Sequence, residues 1–148
     1  MLSLLLIVNI AGDRVAFPAA SVEGVVELES LIPVPRAPGH VAGLTALRSR
    51  VLTVIDCRCS LQQGRTDLSD SAIHEAAVVE LDGHHYALTV DAVEDVVEAR
   101  SEPTPIRAAM GKGWERVSLG MVETEQGPLL LVDLEKLIVG PVADARAA

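Results

Sequence analysis

The chain has 148 residues, 49% of them apolar, and a formal net charge of −9. That acidic balance opposes a phosphate backbone, and only Phe17, Tyr86 and Trp114 could stack on bases, so the composition argues against a nucleic-acid partner. The apolar content and positive mean hydropathy argue against disorder, and a chain of this size buries enough surface to fold without a disulfide or metal.

The first element is the apolar run Leu2–Ile10. It lacks a basic flank, and Asp13 and Arg14 end it after about ten residues, so it reads as a buried strand and not as a signal peptide. No segment approaches the ~20 apolar residues of a membrane helix. The expectation is a cytoplasmic chain with no direct membrane insertion. After the turn Ala11-Gly12-Asp13-Arg14 come a second strand, Val15–Phe17, a brief helical turn, and a third strand, Val25–Leu28. Pro33, Pro35 and Pro38 lack an N–H, which places Ile32–Pro38 at an edge or crossing. Leu44–Leu47 and Val51–Ile55 form a hairpin with Arg48 at its tip. Asp56 follows it and is placed to N-cap a short helical stretch, Cys57–Leu61.

The polar stretch Gln62–Ser71 reads as a loop, and beyond it the pattern recurs. Gly12–Leu28 aligns with Gly83–Ala99 at an offset of 71, with identities at Gly12/Gly83, Ala16/Ala87, Val22/Val93, Glu23/Glu94, Val25/Val96, Val26/Val97 and Glu27/Glu98. Leu2–Ile10 matches Ile73–Leu81, and Arg36-Ala37 matches Arg107-Ala108. LTVID at 52–56 matches LLLVD at 129–133, at an offset of 77. The second copy therefore runs as a strand to Leu81, an Asp82-Gly83 hairpin turn, the strand Tyr86–Val90, a helical turn and the strand Val96–Ala99. Pro103-Thr104-Pro105, the hairpin Val117–Val122 with Leu129–Val132, and Asp133 capping Leu134–Ile138 complete it.

Self-similarity of this kind marks repeated structural units. About five short strands per copy predict a mainly β fold of two small closed barrels with short helices. The reading is one domain over 1–148: a first barrel repeat to about residue 62, a connecting loop over 63–71, a second repeat over about 72–138 and a flexible tail over 139–148.

Few residues suggest chemistry. Cys57 and Cys59 are spaced C-x-C with no second pair, unlike a zinc site, and are expected to pack as small apolar residues. His84 and His85 read as polar turn residues, and neither H-x3-H nor HExxH occurs. No nucleophile motif is present, and Gly111-Lys112-Gly113-Trp114 is too short for a phosphate loop and reads as an ordinary one. The expectations are no catalytic residue, no metal and no cofactor. A small-ligand-binding barrel is the rival class, and it requires a cavity with convergent polar groups.

The stretch 32–61, IPVPRAPGHVAGLTALRSRVLTVIDCRCSL, resembles the CheW-like family of chemotaxis coupling proteins. Pro38, Val41, Gly43, Leu47, Arg48, Val51, Val54, Ile55, Asp56 and Arg58 occupy that family's pattern. So do 83–97, GHHYALTVDAVEDVV, and 131–137, LVDLEKL. The resemblance implies two five-stranded SH3-like barrels. It also implies a non-enzymatic adaptor that bridges chemoreceptor cytoplasmic tips to the regulatory domain of a CheA-type histidine kinase. By resemblance and repeat position, Val22 and Val25 are expected to line a groove between the barrels, with Arg48 at its rim and Val96 as the repeat partner of Val25. Ala46, Ser49 and Thr53 depart from the family's Asn, Gly and Pro. Ser tolerates a left-handed backbone less well than Gly, so Ser49 points to an altered turn and a retuned partner surface. The alternative reading is a divergent scaffold of a non-motility pathway.

Overall fold

A computed structural model describes residues 3–66, 74–106 and 109–141. These residues form ten strands: β1 (Leu4–Ile10), β2 (Asp13–Pro18), β3 (Val22–Leu28), β4 (Val41–Leu47), β5 (Arg50–Ile55), β6 (His74–Leu81), β7 (His84–Val90), β8 (Ala92–Glu98), β9 (Ser118–Thr124) and β10 (Gly127–Val132). The short helices are α1 (Cys57–Ser60), α2 (Lys112–Val117) and α3 (Leu134–Val139), with a 3-10 turn at Ala19–Ser21.

The strands form two five-stranded sheets, in the orders β8-β1-β2-β10-β9 and β3-β6-β7-β5-β4. This corrects one expectation: the repeats do not each build their own barrel. The first sheet joins β1–β2 of the first copy to β8, β9 and β10 of the second, and the second sheet does the converse. Because the copies are similar, β3 fits β6 as β8 fits β1. The 3-10 turn at Ala19–Ser21 carries the chain from one sheet to the other; the second copy has only a bend at Asp91 there.

Burial explains the apolar runs. In β1, Leu5 and Ile7 enter a core inside the first sheet, while Leu6, Val8 and Ile10 enter a central core shared by both sheets. In β6, Ala76 and Val78 face inside the second sheet, and Ala77 and Val79 face the central core. A strand buried on both faces reads as a continuous apolar run. Phe17 lies in the central core with no exposed surface, and its burial contributes about 1.5–3 kcal/mol.

The two edges of each sheet are linked through the segment that follows one edge strand. The chain after β3 bridges to β4 at Ile32↔Leu44, and the chain after β8 bridges to β9 at Thr104↔Met121. A Cβ at Gly43 would lie 2.5 Å from the Ile32 carbonyl oxygen, and one at Gly120 would lie 2.6 Å from that of Thr104. Both bridges therefore need glycine, and the proline-rich segments lie at these crossings, as expected.

The turns follow the sequence closely. Ala11-Gly12 (φ 54° and 88°) and Asp82-Gly83 (φ 52° and 82°) have positive φ at both central residues, the type I′ pattern that suits a twisted hairpin. Asp56 caps α1 by accepting from the N–H groups of Arg58 and Cys59, and Asp133 caps α3 by accepting from those of Glu135 and Lys136. Two further expectations need correction. Lys112–Val117 is a helix, not a loop, and Trp114 on it is 7% exposed against the central core. Val139 belongs to α3 and Gly140 packs against His40, so the chain is ordered past the expected start of the tail at 139. Arg107-Ala108, residues 67–71 of the connecting loop and 142–148 of the tail lie outside the described residues.

Candidate functional site

The two sheets are locked together by the helices. Ser60 on α1 donates its hydroxyl to the Leu137 carbonyl of α3 at 2.7 Å, and His40 Nε2 donates to the Ile138 carbonyl at 2.8 Å. Arg116 on α2 donates to the Lys136 carbonyl at 2.6 Å and to the Ser60 carbonyl at 2.5 Å, tying all three helices together. Asp91, before β8, accepts from Arg58 at 2.7 Å and from the Ala11 N–H at 3.0 Å, joining α1 to the β1–β2 turn. Arg58 and Asp91 both belong to the stretches that carry the family resemblance, and their pairing gives those positions a physical role. A surface fixed on two linked sheets is preorganised, which lowers the ordering cost of binding a partner.

Arg48 stands exposed at the tip of the β4–β5 hairpin, in the two-residue turn Arg48-Ser49. Arg48 takes the positive φ (58°), and Ser49 is not among the residues with positive φ. The left-handed position at this tip thus falls on Arg48. Among the described residues Arg48 makes no side-chain hydrogen bond or ion pair, so its guanidinium is available to a partner. It borders a cavity of about 220 Å³ at the end of the second sheet, with Glu27, Glu29, Leu28, Leu47 and Leu52.

The other expected residues do not gather around it. Val25 is 41% exposed on β3, the edge of the second sheet, and Val96 is 51% exposed on β8, the edge of the first. Neither borders the Arg48 cavity, to which β3 contributes Val26, Glu27 and Leu28. Val22 is only half-buried and packs against the central core. An apolar cleft does exist, but elsewhere. Ile106, Met110, Trp114, Met121, Pro128 and Leu130 line about 310 Å³ beside β2. Sequence reasoning missed these residues because they come from α2, β9, β10 and the segment before α2, which share no local pattern.

Cys57 lies wholly inside the central core, with its N–H on Thr89 Oγ1 at 3.0 Å. Burial, then the Asp56 carboxylate, pushes its thiol well above the usual range; the Thr89 hydrogen bond opposes this, and Asp91 adds to it. Cys59, partly exposed, is also raised by burial. Neither thiol is activated as a nucleophile, because nucleophilic thiols need the opposite shift. One further grouping escaped sequence reasoning: Glu23, Glu80 and His85 converge at the rim of the second sheet. Their spacing matches no metal motif, but aligning the two repeats would have flagged it, since Glu80 and His85 stand where the first copy has Asn9 and Arg14.

Comparison with known proteins agrees with this architecture. The family described as CheW-like domain matches residues 4–141. A curated protein of Treponema pallidum (strain Nichols), "Chemotaxis protein CheW", is 23% identical over 120 residues, which span 78% of this chain and 70% of that protein. The crystal structure of the scaffolding protein TtCheW from Thermoanaerobacter tengcongensis superposes with a TM-score of 0.74 at 23% identity, covering 93% of this chain and 88% of that one. Among the described residues no helix is long and apolar enough to cross a membrane.

Proposed function

The chain belongs to the CheW-like domain family, and on that premise we propose that it couples chemoreceptor cytoplasmic tips to the regulatory domain of a CheA-type histidine kinase. Its class is that of a non-enzymatic scaffold of chemotaxis signalling. The finer reading rests chiefly on Arg48. A guanidinium held exposed at a two-residue tip, with no partner among the described residues, suits capture of an acidic or carbonyl-rich surface. Val25 and Val96 extend the reading. They are repeat-equivalent exposed valines on opposite sheets, so one suits the receptor hairpin and the other the kinase domain.

A ligand enclosed within a barrel is disfavoured, because Leu5, Ile7, Val97, Val122 and Leu129 fill the first sheet and Leu52, Val54, Ala76, Val78 and Ala87 fill the second. The test is binding of the purified chain to a receptor tip fragment and to a kinase regulatory domain, with wild type and Arg48→Glu. Wild type is expected to bind at least one at micromolar concentration, and the charge reversal to weaken one partner by at least about ten-fold, as for a hot-spot arginine. No binding to either partner would refute the coupling role. Binding indifferent to Arg48→Glu would remove Arg48 from the interface.

A further inference from the structure

We propose that Glu23, Glu80 and His85 form a binding site for one divalent cation of the zinc type, at the rim of the second sheet. Three neighbouring strands supply the donors. Glu80 on β6 and His85 on β7 are direct cross-strand partners. Glu23 is the extra residue of a bulge in β3, between the pairs Val22↔Val79 and Gly24↔Val78. A bulge re-aims a side chain, here toward the other two.

The donor atoms lie within 4.8 Å of one another, and Glu23 Oε2 is 3.5 Å from His85 Nε2. Zinc bonds of about 2.0–2.1 Å in a tetrahedron put neighbouring donors roughly 3.4 Å apart, so this pair is already near coordination spacing. Arg50 Nη1 holds the other oxygen, Glu23 Oε1, at 3.2 Å. That leaves Oε2 directed at His85 and supplies the outer hydrogen bond that metal-bound carboxylates ordinarily have.

The first sheet provides an independent comparison within the same molecule. Its equivalent bulge in β8 presents Glu94, and the equivalent cross-strand pair is Asn9↔Arg14. There Arg14 Nε donates to Glu94 Oε1 at 2.8 Å, and Gln126 bonds both Arg14 and Asp95. A built-in cation thus sits against the bulge glutamate. In the second sheet an imidazole replaces that guanidinium and a carboxylate replaces the amide of Asn9. The Glu80 side chain makes no hydrogen bond or ion pair among the described residues. Where the first sheet sets a guanidinium across the strands from the bulge glutamate, the second thus gathers two carboxylates and an imidazole, the donor types of a zinc site, with Arg50 on the outer oxygen of Glu23. Imidazole with carboxylates selects zinc over magnesium or calcium, which prefer all-oxygen shells. The three protein donors leave a fourth position for water or a partner's side chain.

The experiment is calorimetric titration of the chelator-treated, tag-free full chain with zinc. Saturable binding of one ion per chain is expected, weakened at least about ten-fold by Glu80→Gln and more by His85→Arg. His85→Arg rebuilds the first sheet's arrangement, so its melting temperature in chelator should equal or exceed that of wild type, which shows that loss of zinc is not loss of fold. The proposal is overturned if wild type shows no saturation up to about 100 µM zinc, a concentration that still detects an affinity of roughly −5.5 kcal/mol. It is equally overturned if His85→Arg binds zinc as wild type does, since the ion then lies elsewhere, or if magnesium binds as tightly as zinc.

Discussion

Replacing Gly43 by alanine should open the second sheet. Gly43 has φ 150°, and its added Cβ would meet the Ile32 carbonyl oxygen at 2.5 Å and the Leu31 side chain at 3.1 Å. A side chain at such a φ costs about 1–3 kcal/mol. Relieving the clash moves Ile32 away from Leu44, with which it shares two hydrogen bonds of 2.8 Å each, and each lost bond costs about 0.5–1.5 kcal/mol. Together these give about 4 kcal/mol, or a fall in Tm of roughly 8–16 °C for a chain of this size. Gly120→Ala should behave alike, because Gly120 (φ 121°) stands against Thr104, which pairs with Met121 at 2.9 and 2.8 Å. Gly24→Ala is the control: nothing lies within 4 Å of its Cβ position and its φ is not positive, so its stability should stay within about 0.5 kcal/mol of wild type. Urea unfolding followed by Trp114, the single tryptophan and a buried one, measures all three. If Gly43→Ala and Gly120→Ala both stay within about 0.5 kcal/mol of wild type, the idea that glycine contacts close these sheets is wrong.

Two further expectations concern the aspartate caps and the thiols. Asp56 is buried and accepts from two helix N–H groups and from the Thr66 N–H and hydroxyl at 2.9 and 2.8 Å, whereas among the described residues Asp133 accepts only from two helix N–H groups. Asp56→Ala should therefore cost about 2–4 kcal/mol and Asp133→Ala about 1 kcal/mol in chemical denaturation; equal losses would mean that the Thr66 contacts contribute nothing. The native thiols are raised above their ordinary value of 9.0, so below about pH 9 they are neutral whether the chain is folded or not. As pH rises past that value the unfolded thiols ionise first, and stability falls. The slope of stability against pH between about 8.5 and 10 should be shallower in Cys57→Ala, and an unchanged slope would refute the assignment.

Much of the architecture was legible locally. The Ala11-Gly12 and Asp82-Gly83 turns, the caps Asp56 and Asp133, and the twice-buried strands β1 and β6 each follow from a few adjacent residues. Trp114 was not legible: Gly111 and Gly113 around it look like a loop, and only packing against the central core settles α2 as a helix. The interaction residues divide in the same way. The exposed tip position of Arg48 followed from the hairpin pattern, but the half-buried state of Val22 did not, because alternation tells which face a residue takes and not whether that face is covered.

The sequence by itself determined that the chain is a duplicated set of short strands, where each strand turns and which helices are capped, because those features depend on neighbouring backbone and side chains. The tertiary structure decided which strands pair. Val25 and Val26 of β3 have identical counterparts, Val96 and Val97, in β8, so local chemistry cannot choose between β1 and β6 as the partner of either. The exchange of strands between the copies fixes that choice and builds the central core between the sheets. It also brings Glu23 of the first copy to Glu80 and His85 of the second. That meeting spans more than fifty residues of sequence, and only the pairing of β3 with β6 creates it.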